Sequence, residues 1–161
     1  YHLDLSTRNW YAYTDCFGTS EEKELVKYID SIYKKLHDKY SEEVWLVRNE
    51  LDFKIYNFED GKAFAPDFVL FLRRKDGEIY DNLQIFIEPK GTHLLANDQW
   101  KEDFLNQIQG ADIGMFTLKG EKFNIYGVPF FNRDSNRPEK LQNFEAQLKE
   151  ITGLTPNPNF M

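Results

Sequence analysis

Cysteine is almost absent from this sequence of 161 residues, in which Cys16 is the single example. One thiol excludes an internal disulfide and any zinc cluster built on cysteine ligands. No pattern in the sequence places a base beside Cys16, so we interpret it as a small, partly buried apolar residue rather than as a nucleophile. This cysteine usage favours a reducing, cytoplasmic setting.

Long hydrophobic runs are also missing. No stretch approaches the ~18 apolar residues of a membrane-spanning helix, and the chain does not open on a basic segment followed by an apolar one. We therefore expect no transmembrane helix and no membrane partner. The first residue is Tyr1 and not methionine, from which we expect this domain to be part of a longer chain.

Basic residues are in deficit, with 20 Lys and Arg against 27 Asp and Glu and a formal net charge of −7. Domains that bind nucleic acid by electrostatic attraction alone are usually basic. The charge therefore argues against a self-sufficient nucleic-acid binder. It does not exclude an enzyme that acts on nucleic acid, because carboxylates gathered around a divalent metal would themselves lower the net charge.

The sequence is rich in aromatic residues, with 14 Phe and 9 Tyr, and its 41% hydrophobic content suffices for the core of one domain. Residue periodicity and turn signals predict helices over residues 19–38, 98–108 and 139–151, and strands over 44–47, 53–58, 64–72, 83–91, 113–117 and 122–131. This order predicts an α/β fold in which two helices flank a mixed sheet and a C-terminal helix follows. Residues 155–159 are proline-punctuated and are predicted to form a frayed tail.

The stretch from Phe64 to Leu94 organises the rest of the chain. Two apolar strands are separated by a polar segment whose Asp-Gly pair is a strong hairpin signal. Asp67 opens the first strand, and Glu88 and Lys90 close the second. Because the start of one hairpin strand lies beside the end of the next, we expect these three side chains to meet at one edge of the sheet.

Two further carboxylates are candidates for the same edge. Thr19 and Glu22 form a T-x-x-E capping box at the start of the first helix, and Glu22 extends the apolar stripe of that helix by one turn. Glu22 is therefore either a capping residue or a residue that points towards Asp67, and the two roles are compatible. Glu50 lies in a loop after a strand, where a solvated carboxylate is the preferred interpretation.

The chemistry predicted at this edge is metal-assisted hydrolysis. Two carboxylates beside one site are the minimum protein ligands for a hard cation such as Mg²⁺. Such an ion polarises a phosphodiester, lowers the pKa of bound water and steadies a leaving oxygen. A lysine next to a ligand carboxylate can orient the attacking water or stabilise developing charge. Each residue also has a simpler interpretation, Asp67 as a strand-start or turn residue and Glu88 and Lys90 as solvated charges.

The motifs at this edge resemble those of a known superfamily. Pro66-Asp67, followed by Glu88-Pro89-Lys90, resembles the signature of PD-(D/E)xK nucleases. More narrowly, the chain resembles the C-terminal endonuclease domain of type III restriction enzyme Res subunits in three stretches: the helix start Ser20-Glu21-Glu22-Lys23, the run 65–70 and the run 85–94. The resemblance covers about residues 19–131, with residues 132–161 as a C-terminal helix and tail.

The resemblance implies a restriction-endonuclease-like core of order α-β-β-β-α-β and a Mg²⁺-dependent deoxyribonuclease in which Mn²⁺ may replace Mg²⁺. Asp67, Glu88 and Lys90 would be the catalytic residues. Asp67, Glu88, the backbone carbonyl of Pro89 and, with an uncertain register, Glu22 would hold the metal. Gln107 on the second helix, His93 and Lys101 are lesser candidates, with solvent-facing roles preferred for Gln107 and Lys101.

The resemblance also implies partners. These are double-stranded DNA, a helicase-like ATPase domain that binds ATP upstream on the same chain, and a modification methyltransferase subunit, all in a prokaryotic cytoplasm. Two alternatives stay open at this stage. One is a non-catalytic domain of the same fold used for interaction or DNA docking, and the other is a repair or junction-resolving nuclease of the same superfamily.

Overall fold

The computed structural model describes residues 3–13, 15–16, 18–50, 54–57, 59–110 and 116–154. Three helices, nine strands and one 3-10 turn are assigned in this part of the chain. In chain order they are β1 Leu3–Asp4, β2 Asp15–Cys16, α1 Ser20–Lys39, β3 Glu43–Arg48, β4 Ile55–Tyr56, β5 Ala63–Phe64, β6 Phe68–Asp76, β7 Ile79–Ile87, the 3-10 turn Thr92–Leu94, α2 Gln99–Gly110, β8 Phe116–Leu118, β9 Glu121–Gly127 and α3 Pro138–Thr152.

The main sheet has five strands in the order β3-β6-β7-β9-β8. β3, β6 and β7 are antiparallel neighbours, β9 runs parallel to β7, and β8 returns antiparallel to β9. A parallel pair needs a crossover connection, and α2 lies within the one that joins β7 to β9. The predicted mixed sheet is thereby confirmed.

The central hairpin is displaced towards its turn, with strands over 68–76 and 79–87 instead of the predicted 64–72 and 83–91. Its strands pair from Phe68 with Ile87 to Asp76 with Ile79, so the two-residue loop is Gly77-Glu78. Gly77 has a φ of 64°, a left-handed conformation that favours glycine at a tight turn. The polar segment that was expected to be all turn is instead mostly strand, and its charges are accommodated because Arg73 forms an ion pair with Glu121 across the sheet at 2.6 Å.

Two predicted strands differ from the structure. The segment 53–58 is not part of the main sheet, because its described strand β4 pairs with β5 in a separate two-stranded ribbon. Phe53 and Phe58 lie outside the described residues. Of the predicted strand 113–117 only the end is described, as the start of β8.

The alternation of side chains along the sheet divides the core in two. One face of β6 and β7 packs with α1 and α3, and the other face packs with α2. Phe68, Leu70 and Leu72 lie on the α1 side, whereas Val69 and Phe71 lie on the α2 side. The expected helices on both sides of a mixed sheet, with a C-terminal helix, are therefore present.

Each helix has a local reason for its limits. Thr19 and Glu22 form the predicted capping box at the start of α1, with hydrogen bonds in both directions. α3 begins with Pro138 and ends at Gly153, whose φ of 73° is the usual left-handed helix stop. In the described part of the chain, no helix combines the length and the apolar character that crossing a membrane requires.

The described part of the N-terminal segment packs aromatic residues on the domain. Trp10 and Tyr11 are buried, and the backbone N–H of Leu46 in β3 donates to the carbonyl of Trp10 at 2.8 Å. Cys16 is buried and its thiol is free, which agrees with its interpretation as a small core residue. His2 lies outside the described residues.

Glu102 corrects the prediction for α2. The apolar stripe of residues 100, 104, 105 and 108 predicts that Glu102 lies on the opposite, polar side of the helix with Lys101 and Asp103, but Glu102 is buried. Its carboxylate accepts the backbone N–H of Phe130 at 2.8 Å and contacts the ammonium group of Lys140 at 3.5 Å. A buried carboxylate is tolerated when it is paired and hydrogen-bonded, as here.

A candidate active site at the strand ends of the central hairpin

The hairpin brings Asp67 and Glu88 together, as its sequence predicts. Phe68 pairs with Ile87, so the residues just beyond them lie side by side. The backbone N–H of Asp67 donates to Oε2 of Glu88 at 2.9 Å. Asn49 holds the segment from the other side, because its backbone N–H donates to the carbonyl of Asp67 at 2.7 Å and its amide donates to the carbonyl of Pro66 at 3.0 Å.

Residues 88–90 are fixed by a backbone bridge beyond the end of β7. Pro89 pairs with Phe131 in a parallel bridge, in which the Phe131 N–H donates to the Glu88 carbonyl at 3.0 Å and the Lys90 N–H donates to the Phe131 carbonyl at 2.9 Å. Pro89 has no N–H to offer, so its place in the bridge leaves no donor unpaired. The bridge thus carries Lys90 to the same edge as Glu88.

Lys90 lies between two carboxylates. Its Nζ is 2.9 Å from Oε1 of Glu88 and 2.8 Å from Oδ2 of Asp98. Glu88 is 3% exposed and Lys90 is 9% exposed. Burial lowers the pKa of the Lys90 ammonium, but the hydrogen bond that it donates to Asp98 and the charge of Glu88 outweigh this effect, and the net pKa shift is upward. Lys90 is therefore a charged donor and not a proton acceptor.

Asp67 is in the opposite situation. Its half-buried carboxylate makes no hydrogen bond or ion pair with the described residues, although its backbone is held on both sides. Burial, together with the charges of Glu88 and Glu22, raises the pKa of Asp67 to about 7, and Lys90 and Arg48 offset only part of this. Asp67 is thus an acid whose charged form lacks a partner among these residues.

Glu22 lies next to this group but is held by other partners. The N–H of Thr19 donates to its Oε2, and Nη2 of Arg48 is 3.3 Å from its Oε1. A Cβ on Gly18 would come within 1.9 Å of Oε2, so the close approach of the chain to Glu22 requires glycine there. The capping role of Glu22 is confirmed, and its charge contributes to the raised pKa of Asp67.

The lesser candidates lie outside this group. Glu50 has a 57% exposed side chain and approaches Arg48 at 3.9 Å, which agrees with a solvated loop carboxylate. Gln107 and His93 are exposed, in accordance with the preferred solvent-facing role of Gln107. Lys101 approaches Oδ1 of Asp98 at 3.5 Å.

Sequence reasoning missed Asp98, Arg48 and Asn49. Aspartate at the start of the helix predicted over 98–108 favours Asp98 as its N-cap, and Asp98 does directly precede Gln99, but its side chain pairs with Lys90 and Lys101. Arg48 and Asn49 were placed in a loop, and their contacts join segments far apart in sequence. The sequence did hold one signal for Arg48: it is a positively charged residue next to a predicted strand end in an acidic chain.

The donor chemistry fits a hard cation held by few protein ligands. No three His, Cys, Asp or Glu side chains of the described residues are placed to hold a metal ion together. Mg²⁺ commonly takes one or two carboxylates from a protein and completes its shell with water and substrate phosphate. Asp67, whose carboxylate has no partner among the described residues, and Glu88 supply such a pair of carboxylates. The described residues do not form a metal site built entirely of protein side chains.

Comparison with known proteins places the chain in a family. The model of the HI_1054_C C-terminal domain matches residues 3–151. The chain belongs to the HI_1054_C C-terminal domain family. All the site residues described above lie within this matched region.

A relative from Haemophilus influenzae, an uncharacterized protein, is 37% identical over 150 residues, which cover 87% of this chain and 32% of that protein. This member of the HI_1054_C C-terminal domain family therefore spans about a third of the length of the curated relative that it matches. No solved structure matches the chain.

Proposed function

We propose that this domain is a metal-dependent nuclease that hydrolyses phosphodiester bonds in DNA. The observation that carries the proposal is the group at the hairpin strand ends, in which Glu88 accepts the N–H of Asp67 and binds the ammonium group of Lys90. The carboxylate of Asp67, with its pKa raised to about 7, is left for a cation. A cation beside it would relieve the repulsion from Glu88 and Glu22.

In this proposal Asp67 and Glu88 hold Mg²⁺, or Mn²⁺ in its place, with the Pro89 carbonyl as a further ligand. The bound ion would polarise the phosphodiester and lower the pKa of a bound water. Glu22 contributes negative charge from its position against Arg48, and direct ligation would require it to leave that partner. Two carboxylates and a lysine at one edge suit hydrolysis without a covalent enzyme intermediate.

Lys90 acts as a donor in this mechanism. An ammonium group has three N–H bonds, and Glu88 and Asp98 occupy two of them. The third is available to orient the attacking water or to stabilise charge on the phosphoryl oxygens. The raised pKa of Lys90 in the metal-free structure favours this charged, donating form.

The fold supports the proposal. The restriction-endonuclease-like core implied by the resemblance has the order α-β-β-β-α-β. The chain offers that order as α1, then β3, β6 and β7, then α2, then β9 parallel to β7. Asp67 lies just before β6 and Glu88 just after β7, the two strands of the central hairpin.

We extend the proposal to the wider setting of a type III restriction enzyme. There the domain acts on double-stranded DNA in the cytoplasm, behind a helicase-like ATPase domain that binds ATP and beside a methyltransferase subunit. Two facts support an arrangement with other domains. The family is described as a C-terminal domain, and the Haemophilus relative is about three times as long as the matched part.

The test is DNA cleavage by the full-length protein that carries this domain. Supercoiled phage DNA is incubated with ATP and Mg²⁺, and nicked and linear products are measured over time. We expect Glu88→Gln to reduce the cleavage rate by roughly 100-fold or more, because it removes a charged ligand and the partner of Lys90. Glu50→Gln is the matched control, since it removes the charge of an exposed carboxylate whose contact is with Arg48 and not with Asp67 or Lys90.

Equal cleavage rates for Glu88→Gln and wild type would refute the site assignment. Calorimetry with Mn²⁺ on the same proteins gives a second measurement, in which Asp67→Asn should abolish the binding seen with wild type. If the wild-type protein neither cuts DNA nor binds Mn²⁺ at millimolar concentration with DNA present, the non-catalytic alternative is correct.

A further inference from the structure

The ammonium group of Lys90 has a second carboxylate partner for which the resemblance does not account. Oδ2 of Asp98 lies 2.8 Å from Nζ of Lys90, as close as Oε1 of Glu88 at 2.9 Å. The Lys90 side chain is 10% exposed, so both contacts are made largely out of water. A charge-assisted hydrogen bond in such a place is stronger and better oriented than one at the surface.

Asp98 is fixed independently of the strand that carries Lys90. Its backbone N–H donates to the carbonyl of Leu94 at 3.1 Å, at the end of the 3-10 turn. Its own carbonyl accepts the N–H of Lys101 at 2.9 Å as α2 begins. A carboxylate directly before a helix is also favoured by the positive end of the helix dipole. Lys90 is thus held between a strand end and a helix start.

This second partner matters because Glu88 has another role in the proposed mechanism. Lysine has a long flexible side chain, and holding it in one geometry costs conformational entropy. If Glu88 were the sole partner of Lys90, the ammonium group would compete with the metal for the same carboxylate. Asp98 is not a proposed ligand, so it can keep Lys90 in place while Glu88 binds the metal.

We propose that Asp98 is the positioning residue for Lys90, holding its ammonium group at the site so that its remaining N–H points to the reacting phosphate or water. The proposal rests on the proposed nuclease function. Hydrogen bonds from outside the reacting groups keep catalytic side chains within the small tolerance that reaction geometry allows. Loss of Asp98 should therefore lower the rate of the chemical step more than the affinity for DNA.

The competing explanation is that Asp98 only caps α2. Asp98→Ser separates the two, because serine is as good an N-cap as aspartate but cannot form an ion pair. Asp98→Asn removes the charge with the smallest change in shape. Asp103→Asn, one turn further along α2, is the matched control, since Asp103 is exposed and accepts a hydrogen bond from Gln99 at 3.0 Å.

Steady-state cleavage by the full-length protein is measured with saturating and limiting DNA. We expect Asp98→Ser and Asp98→Asn to lower kcat by about 10- to 100-fold and to change KM by no more than about 2-fold. Asp103→Asn should match wild type. In the double variant Lys90→Met/Asp98→Asn, the rate should equal that of Lys90→Met alone, because Asp98 acts through Lys90. Wild-type kcat in Asp98→Ser, or additive losses in the double variant, would overturn the proposal.

A second readout needs no activity. In the ¹⁵N spectrum of the metal-free domain, an ammonium group held by two carboxylates should give a slowly exchanging signal for Lys90. The signal should vanish in Asp98→Ser and persist in Asp103→Asn. If wild type does not cleave DNA, the nuclease function fails and the inference fails with it. If wild type cleaves and the signal survives in Asp98→Ser, the nuclease function stands and the inference alone is wrong.

Discussion

Asp67→Asn should make the metal-free domain more stable. Among the described residues the Asp67 carboxylate has no hydrogen-bond or ion-pair partner, and burial together with the charges of Glu88 and Glu22 raises its pKa to about 7. The Asn side chain has the same shape and no charge. The hydrogen bonds of the Asp67 backbone to Glu88 and Asn49 do not involve the substituted group.

The magnitude follows from the pKa. An aspartate in the unfolded chain ionises near pH ~3.9. Between about pH 4 and pH 7 the folded protein therefore holds a proton that the unfolded chain has lost, and the free energy of unfolding falls as pH rises. A shift of about 3 units corresponds to ~4 kcal/mol. Solvent screening of a half-buried group reduces this, so we expect a gain of about 1–3 kcal/mol for Asp67→Asn above pH 7.

Urea unfolding in the presence of EDTA at pH 4, 6 and 8 measures the free energy of unfolding of Asp67→Asn and of wild type. The difference between variant and wild type should be near zero at pH 4 and should grow to about 1–3 kcal/mol at pH 8. Asp76→Asn, at the exposed far turn of the same hairpin, is the control and should stay within about 0.5 kcal/mol at every pH. A variant no more stable than wild type at pH 8 would refute the reasoning that Asp67 lacks a partner.

Two further predictions concern the packing of α2, and urea unfolding measures both. A Cβ on Gly127 would lie 2.3 Å from the carbonyl oxygen of Leu105. Gly127→Ala should therefore push α2 away from β9 and lower the free energy of unfolding by about 1–3 kcal/mol. An unchanged urea midpoint would contradict this contact. Glu102→Ala should lower the free energy of unfolding by about 2–4 kcal/mol, because it leaves the Phe130 N–H and the Lys140 ammonium group without their carboxylate partner. Glu102→Gln should lower it by less. Equal losses in the two variants would contradict this account of Glu102.

The candidate site was predictable to the extent that it depends on local structure. The Asp-Gly turn and the apolar alternation predict a hairpin, and a hairpin places Asp67 beside Glu88 whatever the rest of the fold does. The Thr19 capping box is likewise local and was confirmed. These features depend on neighbours in sequence, whose geometry is fixed by backbone conformation.

The partners of the charged residues were not predictable in this way. Arg48 meets Glu22 and Asp98 meets Lys90 because tertiary packing brings α1 and α2 to the strand ends. For Asp98 the local pattern indicated a helix cap, and nothing in the sequence showed where its side chain turns. Glu102 did carry a signal, since it lies three residues before the fully buried Leu105 on the same face of α2.

The separate ribbon of β4 and β5 has a similar cause. The segment 53–58 has the composition of a strand, and strand propensity says that a segment fits an extended, half-buried surface without saying which sheet it joins. Here β3 pairs with β6, so the segment that lies between them in sequence is left to pair locally with β5. The order of strands in space was decided by long-range pairing.

The charges around the site explain how an acidic domain can act on DNA in this proposal. Four carboxylates, those of Glu22, Asp67, Glu88 and Asp98, lie with the three cations of Arg48, Lys90 and Lys101. One negative charge is left over, and it belongs to Asp67. A divalent cation bound there reverses the sign of the local charge, so phosphate is attracted to the site when the metal is present and repelled when it is absent. Because the whole chain carries a net charge of −7, the domain would depend on its metal, and on the rest of the full-length protein, to hold DNA.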